Sequence, residues 1–276
     1  MTRHEIRTKS YHNPWIPAEA LRTLENEKGT ILDVGGGQVP YWRASHVLDI
    51  QAFEPESMER NQWGNRELES GKRKGENCGR ELDSLTNFAS LRRWTASQHT
   101  QLDLCCGQRW PFDDKQFDLG LCSHCLEDIR DPLPAVRELS RVCKRVMVIG
   151  PSRLFEQIRG IDHPAYCGFY HHPWIMFEED GKLIFRRKTS VLELKGCHVV
   201  CPLGWTLKRE LGSMFILSEN LQAEERAFWS EESDYKDYAD FIRPYLMRRD
   251  LFVPDGRPHG LRYWIWRLRQ RYLGRL

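Results

Sequence analysis

The segment Ile31–Pro40 reads ILDVGGGQVP, an apolar run that ends in an aspartate and breaks into three successive glycines. An uninterrupted apolar run suits a strand buried on both faces of a parallel sheet. The glycines that follow permit a φ > 0 turn and remove the side chains that would keep a ligand off the backbone amides. A buried strand therefore hands over, within four residues, to a loop that a nucleotide-like ligand can approach.

Two families use such a loop. A dinucleotide fingerprint needs G-x-G-x-x-G/A opening a helix. Gly35 and Gly37 fit it, but Pro40 stands where the third glycine belongs. Proline can start a helix yet cannot give the close helix–strand contact that glycine allows. The order D-x-G-x-G after Ile31-Leu32 instead resembles motif I of class I methyltransferases that use S-adenosylmethionine. A second acidic landmark follows, because His46–Ile50 reads as a short strand ending in Asp49, placed to accept from both ribose hydroxyls.

Residues 110–151 extend the likeness: WPFDDKQFDLGLCSHCLEDIRDPLPAVRELSRVCKRVMVIGP. Pro111-Phe112, Phe117-Asp118, His124, Leu126-Glu127 and Glu138 through Lys144 are similar to the pattern of small-molecule methyltransferases, in particular a bacterial branch with a DVGGGxxP loop and an SHxLEDIRDP segment. The resemblance spans roughly residues 30–151. It departs at Val39, where a third motif glycine often stands. It departs again at Asp128, often a histidine, and at Arg145-Val146, often Pro-Gly-Gly.

The resemblance implies an α/β protein with a Rossmann-like class I methyltransferase fold, a mostly parallel seven-stranded sheet flanked by helices. It also implies S-adenosyl-L-methionine as cofactor. Gly35, Gly36, Gly37 and Asp49 would hold it, with Asp33 bracing the loop and reaching the methionine amine through water. Asp103 and Leu104 are adenine-side candidates, and Ser123 lies at a neighbouring strand end.

Local patterns give the same architecture. Phe117–Cys122 is a buried strand; Asp131-Pro132 is an N-cap followed by proline at the first helical position. Val136, Leu139 and Val142 recur at helical spacing, and Arg145–Ile149 is the next strand, closed by Gly150-Pro151. Alternating strands and helices build a parallel sheet whose strand ends gather on one edge, where ligands bind. Asp33, Asp49, Asp103 and Ser123-His124 all fall at predicted strand ends. Pro17–Lys28 reads as a lead-in helix, and His99–Leu104 as a strand. Trp174–Glu178 and Leu183–Arg187 flank a Glu-Asp-Gly-Lys turn as a hairpin expected to complete the sheet.

The domain reading is a lead-in of residues 1–29, a cofactor-binding domain of 30–195 and an irregular, aromatic-rich extension of 196–276. Residues 54–98, polar and glycine-spotted, form an insertion that acts either as a lid or as a solvated loop. A formal net charge of +2 demands no nucleic-acid partner, and none is expected. The chain has no membrane-length apolar stretch, and the N-terminal residues lack the apolar core of a signal peptide. With nine scattered cysteines, this points to a reduced, cytoplasmic enzyme.

Ile161–Trp174 holds three histidines among Tyr166, Tyr170, Phe169 and Trp174, in a stretch too rich in Pro and Gly for a regular element. Here His171 or His172 could act as general base, since a sugar hydroxyl with a pKa far above 7 benefits from one within reach. Tyr166, Tyr170 and Trp174 would then shape an acceptor pocket. The alternative is a packed aromatic loop, and His124, directly after the fourth strand, is the rival base. Cys122-Ser-His-Cys125 has metal-ligand spacing but no second pair, and no metal is expected; a divalent ion held by His163, His171 and His172 with a carboxylate is the stronger of the two minority readings. From Arg243 to Leu276 nine arginines accompany a helical stripe of Leu261, Trp264, Ile265, Leu268 and Tyr272. That amphipathic helix either docks on the domain or lies on an anionic membrane surface.

These observations imply methyl transfer to an oxygen or nitrogen of a small-molecule or glycan acceptor. A scaffold that kept the fold and lost catalysis is the alternative. A nicotinamide enzyme is a third reading, against which Pro40 argues.

Overall fold

The computed structural model describes residues 16–37, 40–41, 43–52 and 95–255. The N-terminal residues 1–15, most of the polar insertion and the arginine-rich stripe beyond Asp255 lie outside them. The chain forms two compact units, Met1–Val148 with Ile216–Leu221, and Ile149–Phe215 with Gln222–Leu276.

The first unit contains α1 (Ala18–Asn26), β1 (Ile31–Val34), β2 (His46–Asp49), β3 (His99–Gln101), β4 (Phe117–Ser123), α2 (Pro132–Val142) and most of β5 (Cys143–Pro151). Its sheet runs in the order Ser213–Ser218, β5, β4, β1, β2, β3. β1 pairs in parallel with β2 and β4, and β2 pairs in parallel with β3. Asp33 therefore sits between Val47 and Leu121, and Val34 between Leu48 and Cys122. Ile31, Leu32, Val34, Val47, Leu48, Leu119 and Leu121 are fully buried, as expected of central parallel strands covered on both faces.

Helix α2 starts as its sequence dictates. The Asp131 carboxylate accepts the Leu133 amide at 3.3 Å, Pro132 opens the first turn, and Ala135, Val136, Leu139 and Val142 are buried. At the end of α1, Arg43 donates to the Leu24 and Glu25 carbonyls at 3.1 and 3.2 Å, satisfying groups the helix leaves unpaired. The residue that closes α1 thus lies in the same β1–β2 connection as the glycine bend.

The described residues hold six strands of a sheet expected to have seven. The structure corrects two expectations about that sheet. The hairpin does not complete it; the edge beside β5 is taken by Ser213–Ser218. Strand β3 stops at Gln101 rather than Leu104, because Asp103 turns the chain by accepting the Cys105 amide at 2.8 Å on its side chain and the Cys106 amide on its carbonyl.

In the second unit, α3 (Arg153–Glu156), β6 (Ile158–Arg159), β7 (Trp174–Glu179), β8 (Lys182–Arg187), β9 (Val199–Val200), β10 (Trp205–Leu207), β11 (Ser213–Ser218, shared with the sheet), β12 (Gln222–Arg226), α4 (Glu231–Ile242) and β13 (Phe252–Pro254) follow in order. The predicted hairpin exists: β7 and β8 pair antiparallel, and Asp180 and Gly181 both have positive φ, as a type I′ turn requires. It builds a separate three-stranded sheet in which β12 pairs in parallel with β8. Residues 196–255 are thus more regular than their sequence suggests. Helix α4 is tied down by Arg186, a guanidinium 2% exposed that donates to Asp234 at 2.8 Å and Asp237 at 3.1 Å.

Candidate functional site

The glycine bend closes on the tip of β2. The Gly35 amide donates to the Leu48 carbonyl at 2.9 Å, and the Gly37 amide donates to Asp49 Oδ2 at 2.8 Å. Asp49 Oδ1 accepts the Gln51 amide at 2.8 Å. The carboxylate is thus turned onto the bend, and each oxygen keeps further lone-pair capacity. Gly35 and Gly37 have φ of +73° and +57°, the left-handed region that glycine enters without cost.

The three glycines serve different ends. A Cβ at Gly35 would lie 2.2 Å from Cys125 Sγ, and one at Gly36 2.8 Å from Asp33 Oδ2. Both positions are therefore held small by the protein itself. At Gly37 a Cβ would meet nothing within 4 Å, so this residue faces open space.

Asp33 is 2% exposed beneath the bend, and its Oδ2 accepts the Tyr41 amide at 2.5 Å. Desolvation pushes its carboxyl up to about 7, and the nearby Asp49 charge adds to that; the Tyr41 bond pulls the other way.

Ser123, the last residue of β4, is half-buried, and His124 just after it has φ of +53°, uncommon for a residue with a Cβ. His124 Nδ1 lies 3.3 Å from Oε1 of Glu127, a carboxylate 1% exposed. Neither Glu127 oxygen nor His124 Nε2 has a hydrogen-bond partner among the described residues. On the β3 side, Leu104 is buried and Asp103 exposed.

The aromatic loop belongs to the second unit. His172 is buried, and its Nδ1 lies 2.7 Å from Glu156 Oε1. The other Glu156 oxygen accepts from Lys188 Nζ at 2.7 Å, and that ammonium also donates to the Cys167 and Phe169 carbonyls. His171 is exposed, while Tyr166 and Tyr170 are 49% and 66% exposed beside His163. Trp174 is 3% exposed in β7, with its ring edge-on to Phe185 and the Arg187 guanidinium over it. Tyr166 and Tyr170 thus form a surface shelf, whereas Trp174 is part of the packing.

Residues 84–146 match the family model described as a methyltransferase domain. That match covers β3, β4 and α2, and the sheet order around them sets β1 at the centre, with β2 and β3 on one side and β4 and β5 on the other. Over those residues the chain is similar to methyltransferase domains, and the order of its sheet strands fits a class I methyltransferase fold. Among solved structures, it is similar to a SAM-dependent methyltransferase from Aquifex aeolicus at 17% identity, covering 55% of this chain and 74% of that one with a TM-score of 0.29. A SAM-dependent methyltransferase from Methanosarcina mazei aligns at 16% identity over 50% and 59%, TM-score 0.31. The PH0226 protein of Pyrococcus horikoshii aligns at 13% over 87% and 82%, TM-score 0.34. The chain spans 44–74% of the length of the first five such structures. No curated protein matches it by sequence.

The residues around the bend fit S-adenosylmethionine. The Asp49 carboxylate faces the bend with acceptor capacity to spare, Gly37 leaves the approach open, and Asp33 sets a second carboxylate beneath. Glu127 is the residue that sequence reasoning missed. It stood in the Leu-Glu pair of the family pattern, but nothing in spacing marks a glutamate as buried and unpaired. Cys125 also acquires a purpose, as the side chain packed under Gly35. Its hydrogen bond to Cys122 and the burial of that residue push the Cys122 thiol well up, so the C-x-x-C spacing here serves packing.

Proposed function

We propose that the chain transfers a methyl group from S-adenosylmethionine to an oxygen or nitrogen of a small-molecule or sugar acceptor. The observation that carries this reading is the Asp49 carboxylate turned onto the open Gly37 position at 2.8 Å. Gly35, Gly36 and Gly37 would present the bend, and Asp49 would accept from the ribose hydroxyls. Asp33 braces the bend through Tyr41, with Asp103 and Leu104 on the adenine side and Ser123 nearby.

The reaction is an in-line displacement at a sulfonium carbon, so alignment of the two reactants supplies much of the acceleration. A hydroxyl acceptor also needs a base. His124 is the candidate in the first unit, and His171 and His172 are candidates in the second. The exposed Tyr166–Tyr170 shelf suits stacking on a sugar ring, whereas Trp174 is buried in β7.

A thermal-shift screen with S-adenosylmethionine, S-adenosylhomocysteine, NAD and NADP tests the reading. Stabilisation by the first two alone is expected. Stabilisation by NAD, and none by the sulfonium compound, would overturn it.

A further inference from the structure

One buried ionisable group has no part in the chemistry described so far. Glu127 is 1% exposed, yet both of its oxygens lack hydrogen-bond partners among the described residues. Burying a carboxylate without partners is as unfavourable as breaking a buried ion pair from one side. A residue kept for stability would not be left so. The ionisable group beside it is His124, whose Nδ1 lies 3.3 Å from Oε1 without the alignment of a hydrogen bond.

His124 carries its own strain. Its φ of +53° puts a residue with a Cβ in the left-handed region, which persists only where the surroundings impose it. Its Nε2 is also buried and unpartnered among the described residues. A strained backbone, an unused ring nitrogen and an unpaired carboxylate meet within four residues of the end of β4. This is the same sheet edge that carries the glycine bend, and Cys125, between the two residues, packs under Gly35. Catalytic hydrogen bonds are often long in a free enzyme and tighten only when the reactants are bound.

We infer that Glu127 is a positioning residue that fixes His124 with its proton on Nδ1, leaving Nε2 as the proton acceptor for the methyl-accepting hydroxyl or amine. The inference rests on the methyltransferase reading. In the step, the acceptor O–H or N–H bond breaks and its proton passes to Nε2. The freed electron pair forms the bond to the methyl carbon, and the pair of the broken carbon–sulfur bond stays on sulfur. The imidazolium so formed lies beside the Glu127 carboxylate, which turns the cost of burying that charge into stabilisation of the protonated base.

The test uses the full chain with S-adenosylhomocysteine bound, labelled with 15N at histidine, and His124→Ala to assign the ring signals. Long-range 1H–15N spectra at mildly alkaline pH should show the Nδ1–H tautomer in the parent and the Nε2–H tautomer in Glu127→Leu. Both Glu127→Leu and Glu127→Gln should keep S-adenosylhomocysteine affinity within about twofold and raise the urea midpoint, because each removes an unpaired buried charge. An Nε2–H tautomer in the parent, an unchanged tautomer in Glu127→Leu, or a lowered midpoint in Glu127→Gln would overturn the inference and make Glu127 structural. If the parent protein binds neither S-adenosylmethionine nor S-adenosylhomocysteine, the functional reading falls and this inference with it. Binding with the wrong tautomer sinks the inference alone.

Discussion

Asp33 accepts the backbone amide of Tyr41 while lying 2% exposed beneath the glycine bend. That single bond only partly offsets the loss of water, so the carboxyl is pushed up to about 7. In the unfolded chain it titrates at an ordinary value near 3.8. Between those two values the folded protein holds a proton the unfolded chain has released, so stability falls as pH rises through the window. A displacement of that size corresponds to roughly 4 kcal/mol. Asp33→Asn removes the titration and keeps an acceptor for Tyr41. Urea midpoints measured from pH 4 to 8 should therefore fall less steeply in the variant, with the two proteins alike near pH 4 and the variant ahead near pH 8. Parallel profiles would show that Asp33 ionises normally.

The same carboxyl links cofactor uptake to protons. A cation arriving at the bend favours the ionised form of Asp33, so binding should release a proton near neutrality. S-adenosylmethionine affinity is expected to rise with pH up to about 7 and then level. Calorimetric titrations in buffers of differing ionisation enthalpy would show the released proton, and Asp33→Asn should abolish it.

For Asp49 the expected effect on the cofactor is more direct. Its bond to the Gly37 amide is charge-assisted, and such bonds contribute about 1.5–3 kcal/mol. Asp49→Ala would lose that bond together with those expected to the ribose, so S-adenosylhomocysteine affinity should drop by about 100-fold or more. Isothermal titration of the variant checks this, and an unchanged Kd would remove Asp49 from the cofactor site.

How much of this site the sequence disclosed depends on the kind of signal. Strands β1, β2 and β4 and helix α2 were legible because burial on both faces writes an apolar run, and Asp131-Pro132 writes a helix start. The hairpin was legible from Asp180-Gly181, whose positive φ values few other pairs accept. Its sheet was not, because β12 pairs with β8 across 40 residues and a local pattern cannot announce so distant a partner. The end of β3 was misplaced for a local reason, the Asp103 turn, which competes with extended backbone. The strand end at Asp49 and the glycine bend were readable from order and spacing. The buried position of Glu127 beside His124 was hidden, because burial is a property of packing alone.

In the second unit, Glu156 is fully buried between His172 and Lys188, with both oxygens engaged at 2.7 Å. A Cβ at Gly168 would lie 2.1 Å from its Oε2, so the loop is packed directly on the carboxylate. Lys188→Met would leave that charge half-partnered and free the Cys167 and Phe169 carbonyls. Breaking a buried pair from one side costs about 3–5 kcal/mol, so the urea midpoint should fall sharply. Cofactor affinity should change little, since the bend lies in the other unit. A loss of S-adenosylhomocysteine binding without loss of stability would instead make the cluster part of the binding machinery.

The glycines allow a sharper separation of fold from function. Gly35→Ala sets a methyl 2.2 Å from Cys125 Sγ and also takes on a φ of +73°, so steric and backbone costs add. Gly37→Ala meets no atom within 4 Å and bears only the left-handed penalty, about 1–2 kcal/mol. Gly35→Ala should therefore lower the urea midpoint more than Gly37→Ala does, and Cys125→Ala should recover part of the loss in the double variant. Gly37→Ala should lower cofactor affinity beyond anything its small stability cost explains, because its methyl projects where the ligand must approach. The double-mutant cycle measures the Gly35–Cys125 coupling, and titration of Gly37→Ala measures the approach. Full cofactor affinity in Gly37→Ala would place the ligand elsewhere and leave the open position without a purpose.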